Sequence, residues 1–220
     1  MQPFWPRRSP HFLACRRAVR PFDGPAVIGL SGGPDSLALA AAAAAEGKDA
    51  TCVVVDHGLQ DGSADVAERA AQAARGLGLA AEVVRVEVGE GNVEAAARSA
   101  RYEALLAYGH DVWVAHTADD QAETLILGAL RGNPSGMAPR AGRVVRPFLG
   151  VRRADTVGAC EELGLTPWHD PMNADPAFRR VAVRTQVVPL LSELLGGDAV
   201  PALAATAGRI AADHALIASL

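Results

Sequence analysis

Ser31-Gly32-Gly33-Pro34-Asp35-Ser36 brings paired glycines, two hydroxyls and a carboxylate into one short run. Adjacent glycines let a turn tighten and bring backbone N–H groups against a ligand with no Cβ in the way. An apolar run, Ala26 to Leu30, precedes the turn, and an alanine-rich segment, Ser36 to Glu46, follows it. A helix starting there points its positive end at the same spot, so the turn reads as an anion cradle suited to phosphate or pyrophosphate. It has neither the lysine nor the spacing of the G-x-x-x-x-G-K-S/T loop. The plainer alternative is a strand–turn–helix corner whose glycines only ease packing.

A second group is acidic. Asp120 and Glu123, beside Asp119, are three apart at the start of a predicted helix from Asp119 to Leu130, so they share a face. First-turn acids complementing the helix dipole, capped by Thr117, would explain them more simply. Arg98 and Arg101 stand about one turn apart on the preceding helix and could fork a phosphate or a carboxylate, or could face solvent. Asp56 and His57 end a short apolar run, where His57 could contact a ligand or satisfy a loop carbonyl.

The formal charge is −4, yet Arg7, Arg8, Arg16, Arg17 and Arg20 crowd a start that holds no acid, and Arg152, Arg153, Arg179, Arg180 and Arg184 form a second basic set. Lys48 is the only lysine, and arginine is the better phosphate fork. Cys15, Cys52 and Cys160 make no C-x-x-C, which indicates neither a zinc nor an iron–sulfur site and fits a reducing cytoplasm. No apolar run approaches a membrane span, and Pro3, Pro6 and Pro10 spoil an early amphipathic helix, so no targeting signal is assigned.

Strand and helix signals alternate around these groups. A leading helix is expected over His11–Phe22, and strands over Ala26–Leu30, Thr51–Asp56, Glu82–Val88, Val112–His116 and Val144–Arg146. Helices are expected over Ser36–Glu46, Ser63–Leu77, Val93–Tyr108 (capped by Asn92) and Asp119–Leu130. That order implies an α/β fold, an open parallel sheet with helices on both faces, whose ligands bind beyond the carboxyl ends of the strands. Ser31 to Ser36, Asp56 to Gly58 and His116 to Glu123 all fall at such ends. From about Leu149 the signals are helical only: Arg152–Leu163, stopped by Gly164, then Arg179–Leu195, bent or restarted near Pro189, and a last apolar helix to Leu220.

With these motifs in order, the chain resembles the tRNA(Ile)-lysidine synthetase family of the pyrophosphate-loop ATPase superfamily. The matching segments are SGGPDS at 31–36, VDHGL at 55–59, ARSARYEAL at 97–105, AHTADDQAETLILGALRG at 115–132 and WHDPMNADPAFRR at 168–180. The resemblance implies an adenine nucleotide alpha-hydrolase-like fold and an ATP-dependent ligase. Such an enzyme adenylates the wobble cytidine of an isoleucine tRNA, then lets lysine displace AMP. It implies that Ser31, Gly32, Gly33, Pro34, Asp35 and Ser36 hold pyrophosphate, that Asp35 places Mg²⁺, and that Asp56 and His57 lie near adenosine. It further implies that Asp120 and Glu123 meet the lysine ammonium group, that Arg101 or Arg98 meets phosphate or the lysine carboxylate, and that Trp168 to Arg180 receives a splayed RNA base. Trp168 could instead simply anchor its loop. Three departures from the family pattern stand out: Thr117 for a histidine, Val181 for an asparagine, and a short 133–142 link.

The expected organisation is a basic helical lead over 1–24, an ATP-binding domain over 25–150, and a helical extension over 151–220 that could join a further tRNA-binding domain. Expected partners are the anticodon loop of the tRNA and free lysine, with no membrane and with a homodimer left open. The rival readings are another pyrophosphate-loop tRNA-modifying enzyme, such as a thiolase with a cysteine nucleophile, and an ATP-binding module without turnover.

Overall fold

A computed structural model describes residues 5–6, 8–58, 62–86, 93–170, 175 and 177–218. A six-stranded sheet runs in the order β3-β2-β1-β4-β6-β5. The strands are β1 (Ala26–Gly29), β2 (Ala50–Asp56), β3 (Ala80–Arg85), β4 (Asp111–Trp113), β5 (Arg140–Ala141) and β6 (Val144–Val145). All neighbours pair in parallel except β5 with β6. The expected parallel sheet therefore carries one short antiparallel hairpin at its edge. Its first strand, Arg140–Ala141, has no β-branched or aromatic residue that would have betrayed it.

Side-chain alternation covers both faces. On β1, Ala26 and Ile28 join the large core under α1 (Pro10–Val19), α2 (Pro34–Ala45), α3 (Ser63–Gly76) and α6 (Arg153–Glu162). Val27 points the other way, to Val53, Val112 and Leu105 of α4 (Val93–Leu106). Helix α2 is apolar nearly all round, and Ala38 to Ala43 are fully buried, as a helix enclosed on every side requires. Burial of Ile28, Leu37 or Leu39 stabilises the fold by roughly 1.5–3 kcal/mol each. Val151, Ala159 and Cys160 lie in the same core, so α6 continues the sheet domain rather than opening a new one.

Helix α5 (Ala118–Ala129) follows β4, and α9 (Val200–Ile217) packs on it through Ala118, Ala122 and Val200. The expected bend near Pro189 takes a definite form. Helix α7 (Arg179–Ala182) passes into a π-helical turn, Val183–Val187, before α8 (Val188–Leu195). The Val188 N–H bonds the Val183 carbonyl five residues back, a widened turn beside a proline that lacks an N–H of its own. The Gly164 stop is real: it sits at φ +65° just past α6. The proposed Asn92 cap lies outside the described residues. Among the described residues no single helix is long and apolar enough to cross a membrane.

The strand order turns back between β1 and β4. The crevice beyond their carboxyl ends is where an open sheet of this type receives its ligand.

Candidate active site

The turn after β1 is held by its own hydroxyls. Ser31 N–H donates to Ser36 Oγ at 3.2 Å, the two hydroxyls stand 3.1 Å apart, and Ser36 Oγ donates to the Gly33 carbonyl at 3.1 Å. Gly32 sits at φ +82°, and a Cβ there would come 3.1 Å from the Ala70 methyl. The conformation therefore demands glycine at 32. Gly33 is the N-cap of α2 in an extended conformation, where any Cβ would meet only ordinary contacts. Its small size leaves the mouth of the turn open. Pro34 then opens α2 without wasting an N–H.

Asp35 lies in the first turn of α2, and the Thr156 hydroxyl donates to its Oδ1. Burial raises the Asp35 carboxyl above the usual carboxylate range, despite that hydrogen bond and the nearby Arg153 charge. Asp120 is the N3 residue of a capping box. It accepts from the Thr117 N–H at 2.8 Å and hydroxyl at 2.9 Å, while Arg153 Nη2 donates to its other oxygen at 2.8 Å. Burial opposes its charge, but Arg153 and Thr117 outweigh burial and hold this carboxyl below its ordinary value. Thr117, which stands where the family pattern has a second histidine, serves as the cap that its place before the acids implies.

Sequence spacing placed Asp120 and Glu123 together at the mouth of an open cleft, and here the structure differs. Glu123 is only 1% exposed. Arg153 Nη1 reaches its Oε1 at 2.9 Å, Arg184 Nε reaches the same oxygen at 2.8 Å, and Arg180 Nε stands 3.6 Å from Oε2. Spacing by three fixes a shared helix face, but what covers that face comes from α6 and the π-helical turn, remote in sequence. Asp119 is occupied as well: Arg152 pairs with it at 3.1 Å and the Arg153 backbone N–H donates to it at 2.8 Å. Burial works against the Asp119 charge, but these donors win and lower its pKa.

Asp35, Asp120 and Glu123 are therefore brought into one cluster. Arg101 is not among their partners; it is exposed on α4, and its charge bears on His57. Burial first, and Arg101 second, lower the His57 pKa, and among the described residues neither ring nitrogen has a hydrogen-bond partner. A loop carbonyl satisfying His57 is thus not what holds it. Asp56 turns back to accept from the Gly58 N–H at 3.0 Å. The His116 ring, at the end of β4, also has an orphaned buried Nδ1, and burial pushes its pKa down to about 4.

Trp168 donates its backbone N–H to the Gly32 carbonyl at 2.9 Å, which anchors its loop on the cradle. A cavity of about 260 Å³ beside this contact is lined by Gly32, Leu37, Ala70 and Trp168. Within the 168–180 segment expected to receive RNA, residues 171–174 and 176, Asn173 among them, lie outside the described residues. The three cysteines are free and buried, and burial pushes each thiol up to about 12, so none is poised as a nucleophile.

Arg153, Arg184 and Thr156 join the site although neither motif nor spacing in the sequence marks them as its components. A signal was present: paired arginines open α6, where the dipole disfavours positive charge, so they needed carboxylate partners. Among the described residues no three or more His, Cys, Asp or Glu side chains converge as a metal cage. One carboxylate beside a turn of anion-cradle shape has the chemistry that suits Mg²⁺, which commonly takes one or two carboxylates together with substrate phosphates.

Residues 17–191 match the PP-loop domain family. A tRNA(Ile)-lysidine synthase of Corynebacterium diphtheriae is 64% identical over 218 residues, covering 98% of this chain and 75% of the relative. The chain belongs to the tRNA(Ile)-lysidine synthase family. The Corynebacterium glutamicum member is 56% identical, covering 96% of this chain and 69% of its own. Among solved structures, the U34-tRNA thiolase NcsA from Methanococcus maripaludis superposes with a TM-score of 0.71 at 15% identity, covering 92% of this chain and 78% of that one. At that identity the likeness concerns the fold alone, and it bears out the expected α/β architecture, while the pyrophosphate-loop assignment rests on the matched domain. The family resemblance read from the motifs is borne out too.

Proposed function

We propose that this chain is an ATP-dependent ligase that adenylates the wobble cytidine of an isoleucine tRNA and joins lysine to it, releasing pyrophosphate and AMP. Membership of the lysidine synthase family makes it a tRNA-processing ligase that uses ATP. The observation that carries the finer reading is one juxtaposition. The pyrophosphate-type turn at 31–36 and the carboxylates Asp120 and Glu123 meet through Asp35 and Arg153 in a single cluster.

The chemistry explains why both halves are needed. The 2-carbonyl of cytidine is a poor electrophile with no leaving group. Its oxygen attacks the α-phosphate, the α–β bond breaks, and pyrophosphate leaves into the cradle formed by Ser31, Gly32, Gly33 and the Ser36 hydroxyl. The lysine ε-amine, once neutral, then attacks the C2 carbon, and AMP departs with the oxygen. Asp35 would hold Mg²⁺, which supplies charge neutralisation on the phosphates. Asp120, whose depressed pKa keeps it anionic, would bind and orient the incoming ammonium group, whose proton passes to water before the amine attacks. Glu123 then acts mainly by fixing the arginines around it. Asp56 and His57 would border the adenosine, Arg101 would meet phosphate or the lysine carboxylate, and the Trp168–Arg180 segment would receive the anticodon loop. A cytoplasmic location follows from the tRNA substrate.

Pyrophosphate release measured with tRNA and lysine each added or withheld tests this reading. Release should require tRNA and ATP, and turnover to the modified base should require lysine as well. Release unaffected by tRNA would overturn it.

A further inference from the structure

Each nitrogen of the Arg153 guanidinium faces a different carboxylate. Nη2 stands 2.8 Å from Asp120, Nη1 2.9 Å from Glu123, and Nε 3.8 Å from Asp35. Its own backbone N–H is fixed to Asp119 at 2.8 Å, and Thr156, one turn on, donates to Asp35. The side chain therefore fills the space between the proposed metal-holding acid and the proposed amine-binding acid. Resting on that reading of the two acids, we propose that Arg153 is a resident counter-cation. It occupies the amine subsite while nucleotide is absent, and so makes capture of lysine wait for ATP.

The argument is one of charge and space. Around the guanidinium itself, the three carboxylates Asp35, Asp120 and Glu123 are matched by Arg153, Arg180 and Arg184, so this core of the cluster is formally neutral without any ligand, while Asp119 and Asp198 share Arg152 beside it. Removing any one partner from such a buried set leaves an unpaired charge, which costs more than the pairing itself returns. A substrate ammonium entering this neutral cluster would add an excess positive charge and would compete with Arg153 for Asp120. A triphosphate in the adjacent cradle changes the balance, because it offers a guanidinium new anionic partners of the fork-accepting kind. Arg153 suits such an exchange. Its side chain is 20% exposed, not sealed, and it leaves from the first residue of α6, where no preceding helical turn confines it. By linkage, ATP must then raise lysine affinity, and lysine must raise ATP affinity by the same factor.

Binding of radiolabelled lysine to the whole chain, with and without a non-hydrolysable ATP analogue and Mg²⁺, measures this coupling. Wild type should bind lysine at least about tenfold more tightly when the nucleotide is present, within the usual range of coupling between sites. In Arg153→Met the ratio should fall toward one, because nucleotide-free protein now admits the amine. Arg153→Lys keeps the charge but loses the planar fork that meets Asp120 and Glu123 on separate nitrogens, so its ratio should lie between the two. Equal lysine affinity with and without nucleotide in wild type would overturn the proposal. So would a full ratio in Arg153→Lys, even where Arg153→Met fails to fold. Failure of the functional reading itself looks different, since no lysine would bind in any state.

Discussion

The Trp168 amide donates to the Gly32 carbonyl across 2.9 Å, so the loop leading to α7 is pinned to the turn that follows β1. The proposed RNA-facing segment and the proposed pyrophosphate cradle thus share a backbone hydrogen bond. Disturbance of either should be felt at the other.

Gly32 tests that link. An alanine there takes a left-handed conformation, costing roughly 1–2 kcal/mol, and presses its methyl to 3.1 Å from Ala70. Gly32→Ala should lower the melting temperature by several degrees and weaken ATP binding. Gly33→Ala, at an ordinary φ, should leave the melt nearly unchanged and weaken ATP binding only by narrowing the turn. Thermal melts with and without ATP check both.

Asp35 should serve the ligand at some expense to the fold. Its carboxyl pKa is raised in the folded state by burial. The folded protein therefore binds more protons than the unfolded chain as pH climbs above the ordinary carboxylate value, and stability falls across that window. Asp35→Asn removes this penalty. The variant should melt at the same temperature or higher at neutral pH while losing adenylation with Mg²⁺ present. A marked loss of stability would assign Asp35 a structural role instead.

Glu123 should show the opposite pattern. It is sealed beneath Arg153, Arg180 and Arg184, and Glu123→Gln leaves those guanidiniums without their anion. Breaking a buried pair from one side costs about 3–5 kcal/mol. Urea unfolding should show a loss of that order, together with weaker use of lysine. An unchanged midpoint would mean that the arginines find other partners.

His116 predicts a pH dependence. Burial pushes its folded pKa down to about 4, against 6.5 for an unperturbed ring. Between those values the unfolded chain binds the extra proton, so stability is complete above about pH 6.5 and declines as pH falls toward 4. Lowered carboxylate pKa values, as at Asp119 and Asp56, act below this window, whereas within it Asp35 and His11 oppose the trend and His57 adds to it. From about pH 7.5 to 4.5 the wild-type melting temperature should therefore fall further, or rise less, than that of His116→Gln, and the difference between the two slopes reads the His116 share.

The two arginines that begin α7 should separate an RNA role from a structural one. Arg179 is exposed, whereas Arg180 donates to Thr124 Oγ1 at 3.0 Å and lies near Glu123. Arg179→Ala should weaken tRNA binding and flatten its salt dependence by about one unit for each phosphate left unneutralised, with the melt and ATP binding unchanged. Arg180→Ala should lower the melt as well. Equal tRNA affinity across salt concentrations in wild type and Arg179→Ala would make this face merely solvated.

Local rules made much of this protein legible before any coordinates. Ser31 to Gly33 had to be a turn between a strand and a helix, because adjacent glycines disfavour both elements and Pro34 suits the first position of the helix that follows. Val27 beside Ile28, and the run from Thr51 to Asp56, had to be strands buried on both faces. Asp120 and Glu123 had to share a helix face, because 3.6 residues per turn leaves no other outcome. Segment order and type were therefore set by the chain itself, and the ordered motifs carried the family.

Long-range placement was not legible in the same way. The hairpin strand Arg140–Ala141 exists only because β6 stands beside it, since its residues have no strand preference of their own. Arg153, Arg184 and Thr156 read as surface charge or filler until α6 and the π-helical turn fold over α5 and α2. Contacts of that kind depend on packing angles and on the cost of burying an unpaired carboxylate, which no spacing rule contains. The sequence by itself determined the cradle, the acids and the sheet that aligns them. Only the tertiary structure decided that Glu123 would be buried and that one guanidinium would stand between Asp35 and Asp120.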